Sequence, residues 1–151
     1  MITMQPIGLV QSPRHAAEDD NWGTVESSIT LAPELPEEML TGMETFSHLE
    51  IIFYMHQLTP DSICQGTRHP RENPAWPKIG IYAQRGRNRP NQIGCSIVKL
   101  LNRSGRTLVV QGLDAIDGTP VLDIKPVFQE YLPREPIRQP SWVSELMEKY
   151  F

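Results

Sequence analysis

The sequence predicts a mainly β protein: a small closed or nearly closed barrel of about seven short strands, with a short helix near 33–41 and a C-terminal helix. Three observations lead there. Short runs rich in β-branched and aromatic residues recur along the chain, each bounded by Pro, Gly, Asn or Asp. The 14 prolines among 151 residues favour short elements joined by defined turns over long helices. No strand–helix alternation repeats, which disfavours a doubly wound parallel sheet, whereas closure removes the edges that many short strands expose. A chain of this length buries one core and hardly two, so a single domain over 1–151 is expected.

Taken in order, Gln5–Ser12 is an apolar run closed by Ser12-Pro13 and reads as the first strand. Residues 14–23 are polar and acidic and end in Asn21-Trp22-Gly23. This is a loop in which Asp19-Asp20, with nothing nearby to complete a metal site, is expected to be solvated. Thr24–Leu31 alternates partially and reads as a strand. Pro33–Thr41 places Glu34, Glu37 and Glu38 early, where acids suit the helix dipole, and Gly42 is the stop of a short helix. Phe46–His56 carries the strongest strand signal, and its apolar centre suggests burial on both faces. His48 and His56 stand at its ends, as polar termini or, for His56, as a ligand contact.

Residues 57–78 are loop-like, punctuated by Pro60, Gly66, Pro70, Pro74 and Pro77; connections this long are usually functional or mobile. Ile79–Gln84 is another short strand. It delivers Arg85-Gly-Arg-Asn-Arg-Pro-Asn-Gln-Ile-Gly-Cys-Ser96, where three arginines alternate along five residues and Pro90 rules out a helix. Gly94 allows close approach of the backbone to something bound, or a bend at a barrel corner. Cys95–Leu101 and Thr107–Leu113 are strands around a hairpin turn at Asn102–Arg106. Asp117-Gly118 makes a second tight turn, and Val121–Pro126 is a strand ended by proline. After a linker with Pro133, Pro136 and Pro140, Ser141 is expected to cap a helix through Lys149. Its apolar stripe is Trp142, Leu146 and Tyr150, or alternatively Val143 and Met147.

The net charge of −4 conceals an asymmetry. Residues 1–67 carry one basic residue, Arg14, against ten acids, whereas residues 68–106 carry nine basic residues against Glu72 alone. The basic third is a footprint for a polyanion such as nucleic acid, or it sits against the acidic first third within or between subunits. Cys64 and Cys95 are the only cysteines and show no zinc-ligand spacing, so they read as buried or half-buried thiols in a reducing compartment. No apolar run is long enough to span a membrane, and Met1–Pro6 has no basic segment leading into an apolar one. A cytoplasmic protein is expected. Neither a dinucleotide-binding glycine fingerprint nor a phosphate-binding Walker loop is present.

Two stretches carry opposite chemistry. The arginine stretch presents planar, permanently charged donors for carboxylate or phosphate, or is simply a solvated basic loop. Gly112–Pro126 spaces three aspartates through turns and a strand. Within it Asp123 and Lys125 fall on one face, expected to be inward, as a buried structural pair or as a pair beside which a proton moves.

Four segments then occur in one order: Pro6-Ile-Gly-Leu-Val-Gln-Ser-Pro13, Phe46-Ser-His-Leu49 leading to Phe53-Tyr-Met-His56, Arg89-Pro-Asn-Gln-Ile-Gly-Cys-Ser96, and Leu113-Asp-Ala-Ile-Asp-Gly-Thr-Pro-Val-Leu-Asp-Ile-Lys-Pro126. This series resembles the TsaA/TrmO-like family of β-barrel methyltransferases over residues 5–128, leaving a linker and helix at 129–151. The resemblance implies a homodimer, S-adenosylmethionine as methyl donor, and tRNA as substrate. The methyl acceptor would be the exocyclic N6 of threonylcarbamoyl-adenosine next to the anticodon. By position it implies cofactor contacts at His56, Gln57, Arg85, Arg89, Cys95, Asp117, Gly118, Thr119 and Pro120, with Asp123 and Lys125 nearest the methyl transfer. Arg68, Arg71 and Arg87 are then the expected phosphate contacts. Gln92 stands where the family usually has a second proline, and Val127 where it usually has tyrosine. These departures fall on the acceptor side. They leave open a different acceptor, a non-catalytic barrel that binds the cofactor or RNA, or a dimeric barrel whose basic loop serves assembly.

Overall fold

The structure is a computed structural model that describes residues 1–151. Its strands are β1 (Gly8–Gln11), β2 (Glu26–Leu31), β3 (His48–Tyr54), β4 (Thr67–Arg68), β5 (Ile79–Gly80), β6 (Ile93–Ser104), β7 (Thr107–Gln111) and β8 (Pro120–Pro126). Six of them close a barrel in the order β1-β2-β7-β6-β3-β8, every neighbouring pair antiparallel. β4 and β5 form a separate two-stranded sheet in the long connection.

Alternation along the strands fills the lumen. Val10, Ile29, Ile51, Val98, Leu108 and Val121 are each at most 2% exposed, and such side chains contribute about 1.5–3 kcal/mol apiece on burial. The Phe46–His56 run therefore buries one face of β3, in the pattern of a half-exposed barrel strand, and not both. Gly94 is the close-approach glycine expected from its sequence, but its neighbour is internal. A Cβ there would stand 2.3 Å from the Phe53 ring, the residue directly across the ladder.

The face presented by β8 differs from the expectation. Its register against β3 shifts between Ile52 and Phe53, so that Phe53 pairs with Val121 and Ile52 with Asp123. That bulge at Leu122 resets the period-2 alternation: Val121 points inward, Ile124 packs on the core, and Asp123 and Lys125 emerge on the outer wall.

Other elements are shorter than expected. The helix near 33–41 is a single 3₁₀ turn at Glu37–Leu40, and the strand over Ile79–Gln84 stops at Gly80. Ile81–Ala83 curls into a 3₁₀ turn because the buried Gln84 amide donates to the Arg68 and Ile79 carbonyls at 2.9 and 3.0 Å. The C-terminal helix α1 (Ser141–Met147) starts after Pro140, and Ser141 is its first helical residue without capping it. Both expected stripes, Trp142/Leu146 and Val143/Met147, are half-buried and form one broad face. No helix is long and apolar enough to cross a membrane.

Candidate ligand site at the barrel rim

Register places Tyr54 beside Ile93 and Phe53 beside Val121, so the end of β3 and the starts of β6 and β8 meet at one end of the barrel. The connections 12–25, 55–92 and 112–119 all open there. Because the lumen is filled, a ligand has to bind at this rim or on the outer wall.

The arginine stretch is shaped by backbone carbonyls. Arg85 Nη2 donates to the Cys95 carbonyl at 2.6 Å, Arg89 Nη1 to those of Gln84 and Gly86 at 2.9 and 3.2 Å, and Arg87 Nη1 to that of Ala17 at 3.5 Å. None of the three has a carboxylate within 4.0 Å; the ion pairs of the chain lie elsewhere. Their positive charge is uncompensated, and each keeps unused N–H donors.

The aspartate turn is stitched to the end of β1. Asp117 accepts from the Ser12 amide at 3.0 Å and faces His15 Nδ1 at 3.5 Å, while the Gly118 amide donates to the Val10 carbonyl at 2.8 Å. Thr119 is buried and its hydroxyl donates to the Ile116 carbonyl at 2.7 Å, so its side chain shapes the turn from behind. Gly118 has φ +77°, a conformation that favours glycine, and a Cβ built there finds only His56 Nε2, at 3.9 Å. Pro120 opens β8 opposite Leu9, and Gln57 is exposed beside His56.

Gln92 ties the arginine stretch to the segment that follows β3. Its carbonyl accepts from the Met55 amide at 2.8 Å, and its side-chain amide donates to the Met55 and Leu58 carbonyls at 3.3 Å. Its side-chain oxygen accepts from the Tyr54 hydroxyl at 2.8 Å. One rim thus runs from Arg85 and Arg89 through Gln92 and His56 to Gly118 and Asp117.

Cys95, Asp123 and Lys125 lie off this rim, on the outer wall around Glu50. Cys95 Sγ donates to Glu50 Oε1 at 3.1 Å; burial first, then that bond and Glu50's charge, push the thiol up to about 11. Lys125 Nζ sits 2.6 Å from Asp123 Oδ2, and this hydrogen bond, with the accompanying charge, raises the ammonium above its ordinary range. Both side chains are about half-exposed, so the expected inward pair is an outer-wall pair. Of the expected phosphate contacts, Arg87 is exposed and Arg68 stands 3.9 Å from Glu72. Arg71 holds Asp20 through two N–H groups at 2.8 and 3.2 Å, which corrects the expectation of a solvated carboxylate for Asp20, while Asp19 is exposed as expected.

Three rim residues escaped the sequence reading. Asp114 accepts from both the Ser96 hydroxyl, reaching from β6, and the Tyr150 hydroxyl, reaching from the C-terminal tail. Burial, and then the Asp114 charge, hold the Tyr150 phenol far above the usual tyrosine range. The tail is fixed by backbone bonds from Asn21 to Lys149 and from Trp22 to Tyr150, at 2.8 and 2.7 Å. The Gly112–Asp117 spacing signals Asp114, but nothing local connects it to a residue 36 positions away that reads as part of a helix stripe.

Residues 10–132 match the sequence profile of the tRNA-methyltransferase O N-terminal domain. The chain is 33% identical over 154 residues to the "Probable S-adenosyl-L-methionine-binding protein" of Pyrococcus abyssi, covering 99% of this chain and 80% of that one. It is 40% identical over 105 residues to the Homo sapiens "tRNA (adenine(37)-N6)-methyltransferase", covering 70% of this chain and 23% of that protein. The crystal structure of TrmO from Pseudomonas aeruginosa is similar with a TM-score of 0.74 at 28% identity, over 91% of this chain and 61% of that one. The chain thus spans less than two thirds of the solved TrmO chain and about a quarter of the human protein.

Proposed function

The chain belongs to the family of the tRNA-methyltransferase O N-terminal domain, and on that premise we propose that it transfers a methyl group from S-adenosylmethionine to tRNA, at the exocyclic N6 of threonylcarbamoyl-adenosine next to the anticodon. The observation that carries this reading is the rim itself. Three guanidinium groups without carboxylate partners and a turn bearing Asp117 open side by side, across His56.

This donor set fits the cofactor. Arg85 or Arg89 has N–H groups free for its carboxylate, and Asp117 offers a carboxylate to its cationic sulfonium. The open surface over Gly118 leaves room between them, with His56, Gln57 and Pro120 as the surrounding wall. When bound, S-adenosylmethionine supplies an activated methyl group on a cationic sulfur. The residues of the rim bind and orient; alignment of acceptor nitrogen with methyl contributes more than any single acid or base. Asp123, off the rim of its own chain, is assigned to receive the proton lost from the acylated amine where a second copy brings a rim against this wall, with Lys125 holding that carboxylate in place. Their exposure in the single chain calls for a cover. A second copy is proposed to supply it across the outer wall of β3, β6 and β8, where Tyr54, Ile97 and Leu101 are 37–48% exposed. Cys95 would be enclosed by the same contact. With tRNA as substrate, we assign the protein to the cytoplasm.

Isothermal calorimetry of the full chain with S-adenosylmethionine, followed by methyl transfer to tRNA with and without threonylcarbamoyl-adenosine, tests the reading. Binding and transfer only to the modified tRNA are expected; no heat of binding would remove the cofactor. Undiminished turnover by Asp123→Asn would remove the proton role. Binding without transfer would favour a cofactor sensor, for which one observation speaks: Asp123 is already engaged by Lys125 and by the Ile124 amide at 2.9 Å.

A further inference from the structure

Beside the arginine stretch, reached by Pro90, lies an open recess of about 410 Å³. Tyr82 and Pro90 line it, and Gly66 and Gly80 contribute to its floor, where a Cβ on either glycine would meet nothing within 4 Å. Tyr82 is 76% exposed and makes no hydrogen bond or ring contact. The backbone that carries it is fixed on either side. Ile81, next to it, is buried, and its amide donates to the Gly66 carbonyl at 3.0 Å. Gln84 is buried and pinned to Arg68 and Ile79, and Arg89 is fastened to the Gln84 carbonyl. No residue of the 112–120 turn lines the recess.

We propose that the Tyr82–Pro90 recess is a stacking slot for one unpaired base of the RNA substrate, flanking the base that is methylated. It rests on the tRNA reading above and adds to it a subsite of defined chemistry. An open recess lined by two glycines, an exposed tyrosine and a proline suits a nucleobase, which offers two apolar faces. Arg87, exposed and without a carboxylate partner, lies five positions along the same segment and can take a phosphate that flanks a stacked base.

The test uses the full chain and a fluorescein-labelled anticodon stem-loop RNA at fixed salt, with S-adenosylmethionine calorimetry and thermal melting run in parallel. Tyr82→Ala is expected to weaken RNA binding about tenfold or more while Tyr82→Phe stays within about twofold. Both should leave cofactor affinity and melting temperature unchanged. Arg87→Ala should weaken binding and flatten its salt dependence. Unaltered RNA affinity in Tyr82→Ala, when the parent chain binds RNA, overturns the slot and leaves the tRNA reading intact. A loss of cofactor affinity with RNA affinity preserved overturns it in favour of the cofactor's own adenine. Absence of RNA binding by the parent chain overturns both the slot and the tRNA reading, with the cofactor measurement unaffected.

Discussion

At the scale of single residues, Gln92 separates this chain from the pattern it otherwise follows. Its φ is +53°, and its amide donates to the Arg89 carbonyl at 3.0 Å. Proline, usual at this position in the family, holds φ near −65° and has no N–H. Gln92→Pro is therefore expected to destabilise by about 1–3 kcal/mol, measured by urea denaturation, and to loosen the Met55–Leu58 segment that its side chain holds. Cys95 shows how neighbours set chemistry. Its raised pKa means that the folded protein binds that proton more tightly than the unfolded chain. The stabilising contribution is complete below pH 9.0 and is lost as pH rises through about 11. Alkylation of Cys95 by iodoacetamide, followed by mass spectrometry in a Cys64→Ser background, should show its midpoint near pH 11. Glu50→Gln should move that midpoint down.

At the scale of elements, most strands were legible because barrel strands alternate, and Val10, Ile29 and Ile51 fall on the buried beat of that alternation. The failures have a common physical origin, which is that tertiary partners override local pattern. β8 reads as a plain alternating strand, yet one extra residue at Leu122 turns Asp123 and Lys125 outward; a bulge depends on the partner strand's register. Ile79–Gln84 has strand composition, but Gln84 finds two carbonyls and bends it. The Gly94–Phe53 contact was legible only as a glycine that admits something close. Gly94→Ala is expected to cost about 1–3 kcal/mol through overpacking against the Phe53 ring, as a lower melting temperature. Gly94→Ala combined with Phe53→Leu should recover part of that loss.

At the scale of the whole molecule, the charge asymmetry resolves into two populations. Arg71 and Arg103 are neutralised by Asp20, Glu37 and Glu44 from the acidic first third, and Arg106 is tied to the Ala32 and Leu35 carbonyls. The arginines at 85, 87 and 89 are left over. Composition alone showed the surplus but could not assign which cations were internally matched, because each pairing spans 50 or more residues. The Asp114–Tyr150 bond was invisible for the same reason. Removing its donor with Tyr150→Phe should lower stability by about 1.5–3 kcal/mol, the range for a hydrogen bond to a charged group, measured by thermal and urea unfolding. Asp114→Asn retains an acceptor and should cost less.

The tail that ends in Phe151 lies so close to Gly23 that a Cβ there would stand 2.6 Å from the last carbonyl carbon, whereas residues Met1–Pro6 are exposed. The two termini are consequently unequal places to attach anything. A purification handle or fluorophore fused before Met1 hangs free, while one spliced after Phe151 starts beside the loop that carries Gly23 and crowds the end of the barrel where the proposed site lies.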